Sequence, residues 1–66
     1  FNITLPESIG SADRWEARDV TGRLVEAGRI TADRFVIDAS AWSEGAYALS
    51  ILAEGTLVGA TRVVRN

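Results

Sequence analysis

The chain has no cysteine, no histidine, no lysine and no methionine, and only one proline among its 66 residues. Without cysteine there is no disulfide, and without cysteine or histidine a structural zinc site lacks its usual ligands. The same absences leave only carboxylates, hydroxyls, the phenol of Tyr47 and arginine for acid–base or nucleophilic work. Nine carboxylates scattered among seven arginines read as a solvated, ion-paired surface rather than a catalytic pair. No D-x-D-x-D-G spacing offers a calcium loop. The reading is a protein that is not an enzyme and carries no metal or other cofactor.

Blocks of like charge are missing too. The net charge is −2, with every basic residue an arginine and no run of them, so the sequence shows no footprint for a phosphate backbone and nucleic acid is not the expected partner. The longest apolar stretches, such as "ALSILA" at 48–53, fall well short of the ~20 residues a bilayer-spanning helix needs. No membrane-spanning segment is expected, and no charged stretch followed by an apolar one marks a signal peptide at the start.

Length sets the next bound, because a chain of this size buries only about 60% of the surface its unfolded form exposes. One small core and one domain, residues 1–66, are expected. A chain that opens on Phe1 and has no Met anywhere reads as a processed piece or as the ordered part of a longer polypeptide.

What is present is alternation. "FNITL" sets Phe1, Ile3 and Leu5 on one face, "DRWEARD" sets Trp15 and Ala17, and "RFVIDAS" sets Phe35 and Ile37. "YALSILAE" is the clearest case, with Tyr47, Leu49, Ile51 and Ala53 opposite Ala48, Ser50, Leu52 and Glu54. "GRLVEAG" and "TLVGATRVVR" add short β-branched runs, the second introduced by an "EGT" turn. Period 2 dominates, and turn signals recur about every 10 residues. An all-β, immunoglobulin-like antiparallel sandwich of six or seven strands follows, with Ile3, Leu5, Phe35, Ile37, Tyr47, Leu49, Ile51 and Val63 in its core. Helix is conceivable only around 11–18 or 39–44, and neither segment has a cap with an apolar stripe.

Two turns stand out. Asp19-Val20-Thr21-Gly22 suits a type I turn in which the Asp side chain accepts backbone N–H bonds and Gly22 supplies φ > 0, after which Arg23 restarts a strand. In "WSEGAYAL", Gly45 precedes Tyr47 by two residues at the start of the next strand. Taken alone, each reads first as hairpin architecture. Trp15 and Trp42 offer either a platform for stacking on sugar or buried packing, and packing is favoured for at least one in so small a core.

Taken in order, "DVTGRLV", "VIDAS", "GAYALSI" and the closing "RVVR" resemble one bacterial family over residues 3–65: the C-terminal sorting domain of proteins exported by the type IX (Por) secretion system of Bacteroidetes and their relatives. The family's elements are a D-x-x-G-R turn, an I-D-L-S-x-L-P-x-G-x-Y stretch and a basic, β-branched last strand. This chain departs from them in having Trp42-Ser43 in place of Leu-Pro, Ala39 in place of Leu, arginine in place of lysine in the last strand, and no opening Asn-Pro.

The resemblance implies a sorting signal at the end of a larger secreted cargo protein. It implies recognition by an outer-membrane translocon and its shuttle proteins, and a surface peptidase that processes the tail. Transit would run through the periplasm to the cell surface or the medium. It assigns partner recognition to Asp19, Gly22, Arg23, Gly45, Tyr47, Arg62, Val63, Val64 and Arg65. The alternative of another class is a small immunoglobulin-like or fibronectin-like accessory module of a secreted enzyme or adhesin, which the same fold would serve.

Overall fold

The computed structural model describes residues 1–66. Six strands form, β1 (Asn2–Thr4), β2 (Arg14–Arg18), β3 (Leu24–Arg29), β4 (Arg34–Val36), β5 (Gly45–Ala53) and β6 (Thr56–Arg65). The only helical element is one 3-10 turn at Glu7–Ile9. The two stretches left open to helix contain none: 14–18 is β2 and 39–44 is a loop. Pro6 precedes the 3-10 turn in extended conformation, φ −69° and ψ 155°, and carries the chain out of β1.

All pairing is antiparallel. β1 and β4 make a two-stranded sheet, and the other four strands run in the order β3-β2-β5-β6. These are the B–E and C′–C–F–G pairings of an immunoglobulin-type sandwich, so the expected architecture is observed with six strands. The β5–β6 hairpin turns through Glu54 and Gly55, both with positive φ (51° and 82°), the requirement of a two-residue type I′ loop.

The alternation read from sequence sets the inner faces. Trp15 and Ala17 of β2 lie beside Leu49 and Ile51 of β5, and against them come Leu5 and Ile37 from the ends of the small sheet; all are buried. Ile3, Phe35 and Val63 pack against this core only at its rim and stay half-buried. A two-stranded sheet is too narrow to cover a four-stranded one, which leaves their outer edges in solvent. Loops complete the cover: Ala12, Ile30, Ala39 and Trp42 are all buried, and none of them lies in a strand. Both tryptophans are 7% exposed, so neither forms a sugar platform.

One packing contact depends on pairing register alone. Gly28 of β3 lies opposite Trp15 of β2, and the indole covers it so closely that an added Cβ would stand 2.6 Å from Trp15 Nε1. Gly28→Ala should therefore destabilise the chain by about 1–3 kcal/mol in urea unfolding, through overpacking. In a Trp15→Leu background the same substitution should cost little, and an equal cost in both backgrounds would show that the indole does not cover Gly28.

Candidate functional site

The D-x-x-G-R turn closes the β2–β3 hairpin. Gly22 N–H donates to Asp19 O at 3.0 Å, and Gly22 takes φ +86°, the left-handed conformation expected of it. Asp19 Oδ1 accepts from Thr21 N–H, Thr21 Oγ1 and Arg23 N–H at 3.0, 2.6 and 3.0 Å, and Arg23 Nε lies 3.4 Å from Oδ2. Arg18 Nη1 donates to Gly22 O at 3.1 Å and braces the turn from the preceding strand. The apolar tip residue Val20 is 82% exposed.

The loop between β4 and β5 folds beneath the same end of the sandwich. Asp38 Oδ1 accepts from Ser40 N–H at 3.0 Å, and Trp42 N–H donates to Ala39 O, which turns the chain inward. Trp42 then sits between Phe1 and Tyr47, with ring centroids 5.8 and 4.8 Å away in tilted contacts. Its Nε1 donates to Glu26 Oε1 on β3 at 3.1 Å. Tyr47 reaches back with its hydroxyl, which donates to Ser43 O at 2.5 Å. A tyrosine at the start of the F-type strand bonded to backbone a few residues upstream is the tyrosine corner of immunoglobulin-like sandwiches. Gly45, with φ +144°, allows the chain to enter β5 from that corner.

The sequence-predicted residues converge in part. Asp19, Arg23, Gly45 and Tyr47 line one open groove of about 340 Å³ whose floor includes Trp42. Gly22 lies in the turn beside it. Arg65 reaches the same end, where its Nε donates to Ala39 O at 3.0 Å. Arg62, Val63 and Val64 run away from the groove along β6. Val63 points inward opposite Tyr47, while Arg62 and Val64 are exposed on the other face.

Several functions here were not assigned from sequence: the closing role of Trp42, the bracing by Arg18, and the acceptors Glu26 and Ser43. The departure from Leu-Pro to Trp42-Ser43 was their only signal. In the groove's wall Asp19, Thr21 and Arg23 bond one another, and no three carboxylates converge on a metal-sized site. No helix is long and apolar enough to cross a membrane. Comparison with protein-family models, with curated proteins and with solved structures finds no significant match.

The two turn aspartates give this end a pH dependence. Asp19 is held below the ordinary carboxyl value of 3.8, chiefly by the Thr21 hydroxyl, with the Arg23 and Thr21 amides and the Arg23 charge adding to it. Asp38 is lowered chiefly by the Ser40 amide. Because the unfolded chain binds protons more tightly at both sites, their contribution is complete above 3.8 and is lost as pH falls below it through the folded values. An Asp19→Asn, Asp38→Asn variant should lose less stability than the parent between about pH 5 and pH 2 in urea titrations. Parallel losses in the two proteins would show that these carboxyls titrate alike folded and unfolded.

Proposed function

We propose that the chain is a C-terminal sorting domain of the type IX secretion system: a tail, not an enzyme, gripped by an outer-membrane translocon and its shuttle proteins after its cargo reaches the periplasm, and processed by a surface peptidase once the cargo is outside. The observation that carries this reading is convergence. The D-x-x-G-R turn, the G-x-Y corner and the end of the last strand, far apart in sequence, meet at one end of the sandwich.

Not every motif residue is free for a partner. Gly22, Gly45 and Tyr47 are accounted for by backbone conformation and the tyrosine corner, and Arg65 holds the 37–44 loop. The exposed remainder is Val20, Arg23, Arg62 and Val64, at the turn tip and along β6. β6 is also a ten-residue edge strand, and a free edge is a template for strand addition by a partner. The accessory-module reading has its own support in the B–E and C′–C–F–G strand order, common in extracellular modules of many functions.

Fused behind a periplasmic reporter in a host with a type IX system, the chain should bring the reporter to the cell surface. An Arg62→Gln, Val64→Thr variant, altered only on the exposed face of β6, should keep its melting temperature and leave the reporter in the periplasm. Normal export of that variant would remove β6 from the recognised surface. Failure of the unaltered chain where a known tail succeeds would favour the accessory module.

A further inference from the structure

We infer that the outer face of the four-stranded sheet docks on an anionic lipid surface. Strand register assembles a charge pattern that is absent from the linear sequence.

On β2 the residues that alternate with buried Trp15 and Ala17 are Arg14, Glu16 and Arg18, and these project outward. Register brings Arg29 of β3 directly beside Arg14, and Arg62 of β6 into the row of Arg18 with only Ala48 between them. Four arginines thus share a face with one carboxylate, Glu16, which both Arg14 (3.6 Å) and Arg18 (3.5 Å) already use. The other acid in these strands, Glu26, is taken by the indole of Trp42. The face carries a net charge of +3 in a chain whose total is −2, the remaining acids lying in turns and loops.

Arg14 and Arg29 are the sharpest sign. Like charges directly opposite on paired strands destabilise a sheet unless something shares them. Neither a carboxylate nor a backbone carbonyl engages Arg29. Small residues separate the arginines: Ala27 and Ser50 flank Glu16, and Ala60 follows Ser50 in the same row. The result is a shallow surface from which the guanidiniums stand out.

Apolar side chains choose among anionic partners. Leu24, Leu57 and Val64, which are 44%, 60% and 48% exposed, stand around the basic centre on the edge strands β3 and β6. A nucleic acid would reward aromatic stacking, and both tryptophans and Tyr47 are buried. A flat basic surface ringed by aliphatic side chains matches the headgroup boundary of an anionic leaflet, where arginines meet phosphates and the aliphatic groups enter the interface.

The test is co-sedimentation of the 66-residue chain with vesicles of phosphatidylcholine mixed with phosphatidylglycerol, against vesicles of phosphatidylcholine alone. Binding to the mixed vesicles only, weakened by added salt, is the expected result. Arg14→Gln with Arg29→Gln should reduce that binding roughly 25-fold, about fivefold for each arginine, while the melting temperature holds or rises because the opposed charges are gone. Leu57→Ser should weaken binding without changing its salt dependence. The inference is overturned by equal binding to both vesicle types, by binding to neither, by an Arg14→Gln, Arg29→Gln variant that binds as the parent does, or by binding of inorganic phosphate or a short oligonucleotide in place of the vesicles.

Discussion

A sandwich whose sheets have two and four strands cannot close its own ends, and the way this chain closes one of them governs both its stability and its surface. Trp42 is the closure. It comes from a loop, lies buried between Phe1 and Tyr47, and donates its indole N–H to Glu26, so that one side chain ties together the start of β1, the start of β5 and the edge strand β3. In a chain without disulfides or metal ligands, burying a tryptophan is among the largest single contributions available, on the order of 3–5 kcal/mol by the cost of removing one. The tyrosine corner and the Arg65 contact with Ala39 then hold the loop that delivers it.

That closure separates two roles within one motif. Asp19, Gly22, Gly45 and Tyr47 shape and fasten the end of the sandwich, while Val20, Arg23, Arg62 and Val64 are left exposed, and under the proposed sorting function these are what a partner would meet. The first set is recognisable in sequence because its geometry is demanding, whereas the exposed set is under no such constraint. The basic outer face is the broad side of the sheet, which shares Arg62 and Val64 with this exposed set and adds Arg14, Arg18 and Arg29.

Much of the architecture is legible in the sequence because β-structure writes itself with period 2. The faces of "FNITL", "DRWEARD", "RFVIDAS" and "YALSILAE" are those observed, as are the hairpin turns at Asp19–Gly22 and Glu54-Gly55. What alternation does not carry is which strand lies beside which. The close approach of Trp15 to Gly28, the half-exposure of Ile3, Phe35 and Val63, and the gathering of Arg14, Arg18, Arg29 and Arg62 all depend on register. The 37–44 loop escaped for another reason: its core residues, Ala39 and Trp42, obey no period, and its path is set by tertiary contacts with Phe1, Tyr47 and Arg65. Of the residues singled out from sequence, Asp19, Arg23, Gly45 and Tyr47 come together at one groove, but the division between those that build this end and those that face outward was not legible.

The most direct test of this account is hydrogen exchange at the indole N–H of Trp42, read beside the backbone amides of β2 and β5 at neutral pH. A plug that closes the sandwich predicts an indole proton slowed by orders of magnitude relative to free tryptophan, losing its protection together with the strand amides as denaturant is added. Exchange at the free rate while β2 and β5 remain protected would mean that this end stands open, and that Trp42 does not fasten the groove, the corner and the last strand into one surface.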